Sequence, residues 1–148
     1  GYNYRATDMQ CALGLSQLRK LDRYAKRRRQ LVDRYRQQLQ PLQPLVFGPT
    51  APSDCEPAWH LCAVRIDFQA AKTDRATLMA KLRADGIGTQ VHYIPVHQQP
   101  YYRQRYGNLH LPGADAYYQS CLSLPLFPAM TDGDVDRVVN ALARALQH

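Results

Sequence analysis

Asp74-Arg-Ala-Thr-Leu-Met-Ala-Lys-Leu-Arg-Ala-Asp-Gly-Ile-Gly-Thr-Gln-Val-His-Tyr93 passes from a helix through a stop to a strand in one short run. Leu78, Met79 and Leu82 share a face at helical spacing, so residues 74–84 are predicted helical. Gly86 stands just past the end, where a left-handed C-cap wants a residue without Cβ. Residues 88–93 then read as a strand that delivers His92 and Tyr93 to a loop. A helix feeding directly into a strand predicts an α/β (α+β) lobe, a small sheet covered by helices.

The flanks extend the pattern. Residues 58–68 alternate well enough for a strand, residues 113–122 read as a helix, and residues 123–127 as a short strand interrupted by Pro125. Thr131 with Asp134 forms a capping box that opens a closing helix over 131–146, with Val135, Val138, Val139, Leu142 and Leu146 as its apolar stripe. Upstream, Thr7 and Gln10 make another capping box, and Leu18, Leu21, Ala25, Leu31, Tyr35 and Leu39 recur at helical spacing. One helix over 7–39 is predicted, ended by Pro41 and Pro44. At ~1.5 Å per residue it would run roughly 50 Å, longer than the ~40 Å diameter of a globule of this size, so it should overhang or pack on a further domain. Residues 40–57 form a proline-rich connector with room for a short strand at 45–47. The expected division is therefore 1–40, a motif loop and long helix, and 41–148, a small α/β domain.

Composition narrows the class. The 148 residues are 45% hydrophobic, enough for one core, and their longest apolar runs are too short to span a membrane. No signal peptide pattern is present, and a cytoplasmic location is expected. The cysteines Cys11, Cys55, Cys62 and Cys121 are widely spread, which predicts free thiols rather than a disulfide framework. A net charge of +7 suits a polyanion, a phosphorylated substrate or plain solubility. Its densest run, Lys26-Arg-Arg-Arg29, spreads around a helical turn and reads first as a solvated face. Gly1-Tyr-Asn-Tyr-Arg5 lacks an initiator methionine and opens on a dense polar motif, as expected of a piece of a longer chain.

The segment 86–103 concentrates the chemistry: His92, Tyr93, His97, Tyr101, Tyr102 and Arg103 on a scaffold stiffened by Pro95 and Pro100. Such a segment holds polar groups around a ligand, and the same histidines would also serve loop packing. His92 and His97 are not at the spacing of a helical zinc pair, and no cysteine is near, so no metal is expected. Gly86 and Gly88 follow a helix and open a strand, the reverse of a dinucleotide fingerprint. A Cys62–His60 nucleophile pair is conceivable, but Cys62 sits in an apolar run where a buried structural thiol is the usual case. Asn3 and Arg5, just ahead of a helix N-terminus, fit either an anion site or a simple cap.

Gly1-Tyr-Asn-Tyr-Arg-Ala-Thr-Asp-Met-Gln10, Ala12-Leu-Gly-Leu15, Gly86-Ile-Gly-Thr-Gln-Val-His-Tyr93, Gln99-Pro-Tyr-Tyr-Arg103 and Ser123-Leu-Pro-Leu126 together resemble the C-terminal part of DegT/DnrJ/StrS-type sugar aminotransferases. The resemblance implies the C-terminal small domain of a fold type I, homodimeric enzyme dependent on pyridoxal 5'-phosphate (PLP). Gly86 to His97 is most similar to the transaminases of pseudaminic acid biosynthesis that form a UDP-4-amino-4,6-dideoxy-N-acetyl-altrosamine. That implies L-glutamate as amino donor and a UDP-linked 4-keto-6-deoxy-N-acetylhexosamine as acceptor. By the same resemblance Asn3, and less directly Arg5, would reach the PLP phosphate of a neighbouring subunit in a composite site. His92, Tyr93, His97, Tyr101 and Tyr102 would line the sugar nucleotide. The family's Schiff-base lysine belongs to a large N-terminal domain outside this sequence, so no catalytic residue is expected among these 148, and they are expected to be inert alone. The competing expectations are a noncatalytic basic binding or docking module, or the same chemistry on a different keto sugar. Neither nucleic acid nor membrane is an expected partner.

Overall fold

The computed structural model describes residues 1–147. Helices α1 (Asp8–Leu18) and α2 (Leu21–Leu39) lead into a 3-10 turn and strand β1 (Val46–Phe47). Strand β2 (Cys62–Ile66), helix α3 (Arg75–Ala84), helix α4 (Pro100–Tyr106), helix α5 (Pro112–Ser120), strand β3 (Cys121–Leu124) and helix α6 (Asp132–Leu146) follow. The strands form one antiparallel sheet in the order β1-β2-β3, with Val46 opposite Ile66 and Val64 opposite Leu122.

Along β2 the period-two pattern works as the alternation predicts: Cys62, Val64 and Ile66 are buried and Arg65 faces water. Helix α2 delivers Leu31, Tyr35 and Leu39 to the same core, α3 delivers Leu78 and Leu82, and α6 delivers Val135, Val139 and Leu142. Polar fasteners hold these layers in register. The Tyr35 hydroxyl donates to the Pro125 carbonyl at 2.9 Å. Arg34 forms a fork on Asp136 at 2.9 and 2.7 Å, linking α2 to α6. The C-terminal half of α2 thus shares one core with the sheet, α3 and α6.

Several expectations need correction. The single helix over 7–39 is two: at Arg19 and Lys20 the chain tightens, with the Lys20 amide donating to Gln17 at 3.0 Å. Neither residue is proline or glycine, so no local signal marks the break. The basic run is not a solvated face. Arg27 donates to the Met130 carbonyl at 2.6 Å and to Asp132 at 3.0 Å, Arg29 pairs with Glu56, and only Lys26 of the four is exposed. Both capping boxes, Thr7 with Gln10 and Thr131 with Asp134, are formed, and Gly86 has φ +75° as its C-cap position requires. No helix among the described residues is long and apolar enough to cross a membrane.

Helix α1 differs from all this: none of its residues is buried, and Met9, Leu13, Leu15 and Leu18 face outward. Leu31→Ala is expected to lower stability in urea unfolding by about 2–5 kcal/mol through cavity formation. Leu13→Ala, at a position 62% exposed, should stay within about 0.5 kcal/mol. Comparable losses from the two would mean that α1 packs on the core.

Candidate active site

Strand β3 organises the candidate site. Gln90 and Ser123 exchange both backbone hydrogen bonds, at 3.1 and 2.8 Å. The Ser123 hydroxyl lies 2.9 Å from His92 Nδ1. The predicted strand over 88–93 contracts to this one bridge. Its cause is local: the Gln90 side chain accepts the Val91 amide at 2.9 Å, diverting a donor that a ladder would need. The His92–Tyr93 peptide bond is cis. Tyr93 stands edge-on to the His92 ring at 4.8 Å and is 71% exposed. His60, Gln90, His92 and Ser123 converge on a cleft of ≈ 200 Å³.

Beyond Pro95, a 3-10 turn at Val96–Gln98 leads into α4, in a stretch expected to be loop. Pro100 at its first position and Gly107 just past its end, at φ +75°, were the signals for this helix. Tyr101 and Tyr102 both lie exposed on α4, and Tyr102 stacks with Tyr106 at 6.4 Å. His97 turns the other way. It is only 7% exposed, and its Nε2 lies 3.0 Å from Asp115. Of the two roles open to the histidines, loop packing describes His97, whereas His92 faces the cleft. Gln98 also donates to Asp115, and His110 Nδ1 lies 3.3 Å from its other oxygen.

Asn3 and Arg5 are exposed on the extended segment before α1, between stacked Tyr2 and Tyr4 and the Thr7 cap. No hydrogen bond or ion pair joins residues 1–20 to the 88–106 segment among the described residues. Ser123 and Asp115 are the site residues that sequence reasoning missed as individuals. Ser123 lay within the quoted Ser-Leu-Pro-Leu motif, while Asp115 had no signal, since its partners are 17 and 18 residues away along the chain.

Other chemistries find little support. Burial pushes the Cys62 thiol up to about 12, and His60 lies outside β2 on an exposed stretch, so no activated pair forms. No cluster of three metal-ligating side chains occurs among the described residues. None of the four lysines lines the cleft, and Lys81 spends its ammonium on the Ala145 carbonyl at 3.0 Å. A larger cavity, ≈ 830 Å³, lies elsewhere, at the α1–α2 elbow against Phe127, and its lining contains no histidine or carboxylate.

Burial raises the Asp115 carboxyl, but hydrogen bonds from Gln98 and His97 and the nearby imidazoles outweigh it, leaving the group below its ordinary range. A depressed folded value means that the unfolded chain binds the proton first. The stabilisation is therefore complete above the unfolded value of ~3.9 and is lost as pH falls through the folded one. In urea unfolding, Asp115→Asn should be less stable than wild type at pH ~6, and the gap should close as the solution is acidified below pH ~3. A gap that persists unchanged would show that the carboxylate charge contributes nothing.

Comparisons with known proteins identify the family. The sequence pattern of the DegT/DnrJ/EryC1/StrS aminotransferase family matches residues 1–143. The spore coat polysaccharide biosynthesis protein SpsC of Bacillus subtilis is 41% identical over 145 residues, covering 96% of this chain and 37% of its own length. NtdA of Bacillus subtilis, solved with bound cofactor PMP, is 30% identical with a TM-score of 0.84, over 100% of this chain and 34% of that one. PseC of Helicobacter pylori, an aminotransferase involved in pseudoaminic acid biosynthesis, shares the fold: TM-score 0.88 at 24% identity, over 99% of this chain and 39% of that one. The chain spans little more than a third of the length of these relatives. With the family pattern running from the Asn3 segment through the His92–Ser123 cleft into α6, this chain belongs to the DegT/DnrJ/EryC1/StrS aminotransferase family.

Proposed function

We propose that this chain is the substrate-side lobe of a PLP-dependent sugar aminotransferase and works with a lysine-bearing domain that its 148 residues do not contain. The observation that carries the reading is the family match across residues 1–143, combined with a cleft where Ser123 fixes His92. With Nδ1 held by the serine, His92 Nε2 is left to meet a sugar hydroxyl or carbonyl, and the exposed Tyr93 phenol adds a donor beside it. Tyr101 and Tyr102, exposed on α4, would offer further phenols to the sugar nucleotide, and His97, bonded to Asp115, would hold that helix in place.

The residues present fit part of the cofactor's needs. Asn3 and Arg5 are exposed donors beside the N-terminus of α1, suited to a phosphate. No lysine of this chain faces them or the cleft, so the ring and its covalent anchor fall to another segment. When bound, PLP supplies the electron sink that lets an amino group pass from donor to ketone. This chain's contribution is to orient the ketone, which is worth most when the reacting atoms are held at near-attack distance.

The finer assignment rests on residues 86–97: L-glutamate as donor and a UDP-linked 4-keto-6-deoxy-N-acetylhexosamine as acceptor, as in pseudaminic acid formation. A cytoplasmic homodimer fits it, with residues 1–40 and 41–148 serving different subunits' sites. The outward apolar face of α1 supports such sharing. A polyanion-binding module is disfavoured because Arg27 and Arg29 are engaged within the fold.

The test uses the enzyme assembled with its lysine-bearing domain. Glutamate alone should shift the cofactor absorbance, and the isolated 148-residue chain should transaminate nothing. Asn3→Ala should lower PLP retention by about ten-fold or more, as loss of a charge-assisted phosphate contact implies. His92→Ala should slow the sugar half-reaction and spare the glutamate half-reaction. Equal loss in both would remove the sugar-side role, and activity of the isolated chain would overturn the proposal outright.

A further inference from the structure

We infer that Asp115 is a positioning residue that staples both ends of the α4 arm and thereby sets where its tyrosines stand relative to α5. This rests on the substrate-side reading above. The arm runs from the 3-10 turn through α4 to His110, and every residue of α4 itself is exposed. Upstream, the only ladder contact is the Gln90–Ser123 bridge. Within the arm the bonds are local: Gln98 to Pro95 at 2.8 Å, Gln99 to Val96 at 3.0 Å, and the Gln99 side chain to the Ile94 carbonyl at 3.1 Å.

Side-chain hydrogen bonds and ion pairs from the arm to the body therefore converge on one carboxylate. His97 Nε2 and Gln98 Nε2 meet Asp115 Oδ1 from the entry of α4, and His110 Nδ1 approaches Oδ2 from its exit. The acceptor is well placed: Asp115 sits in the first turn of α5, and its side chain is 17% exposed. A carboxylate is the one side chain that accepts on both oxygens at once, and an amide would turn an N–H toward one of these donors. The arm has little apolar burial to hold it otherwise, since its one buried residue is His97. Without the staple, Tyr101, Tyr102 and Tyr106 keep their helix but lose a fixed position relative to α5.

Because Asp115 also faces the N-terminal dipole of α5, His97→Leu serves as the second variant, since it removes the donor and breaks the staple from the arm's side. In the assembled enzyme, Asp115→Asn and His97→Leu should each raise KM for the keto sugar about ten-fold, leave the glutamate half-reaction within about two-fold, and fail to add in the double variant. Asp115→Glu should restore part of the loss. Additive effects, unchanged KM or equal loss in both half-reactions would overturn the staple. Amide exchange on the assembled enzyme separates this from the functional reading: both variants should speed exchange across residues 96–106 and leave α2 and α6 unchanged. Unaltered exchange there overturns the staple whatever the enzyme does, whereas faster exchange with no sugar activity in the unmutated enzyme would keep the staple and remove the substrate-side reading.

Discussion

Burial of β3 is the constraint on which the rest depends. Cys121, Leu122, Ser123 and Leu124 are all buried, although β3 lies at the edge of the three-stranded sheet. An edge strand in that position must have its free backbone groups met, and the molecule meets them with single contacts rather than another strand. Gln90 takes Ser123, Arg75 donates to the Cys121 carbonyl at 3.0 Å, and Tyr35 reaches the Pro125 carbonyl just beyond. The site follows from this arrangement. His92 is oriented by a serine whose position is fixed by the core residues on either side of it, Leu122 and Leu124.

The same economy explains why the cleft is shallow and open. Where a fourth full strand would have continued past Gln90, the chain turns its amide to a side chain and leaves the sheet. That early departure frees His92 and Tyr93 to face outward instead of alternating into a core. The candidate site segment is thus an interrupted strand followed by an arm, and its polar groups need fastening by side chains because no ladder does it.

Legibility in the sequence follows the range of the interaction. Thr7 with Gln10, Thr131 with Asp134, and Gly86 after α3 are local motifs, and each appears as read. The α6 stripe was visible because a helix buried on one side repeats its apolar residues. The break at Arg19–Lys20 was invisible because nothing in that pair departs from helix chemistry. Arg27 and Arg29 looked solvated for the opposite reason: their partners Met130, Asp132 and Glu56 are distant in sequence and adjacent only after folding. In the site, His92 and Tyr93 stood out through composition. Ser123 and Asp115 did not, since a serine in a strand and an aspartate in a first helical turn are ordinary until their partners arrive. His97 shows the limit of counting polar residues, because one of two similar histidines became part of the packing.

Helix α1 carries a consequence beyond its exposed face. It has eleven residues, Gly14 near its middle and no tertiary contact that buries a side chain. A helix that short is marginal in water, and an interior glycine costs about 1 kcal/mol against alanine. Its helical state therefore draws little free energy from the rest of this chain. A partner that covered it would also have to supply the order, so part of the attraction would be consumed in folding the helix and association would be coupled to a local coil-to-helix transition. Because Asn3 and Arg5 lead directly into that helix, the geometry of the segment that carries them is only as fixed as α1 itself.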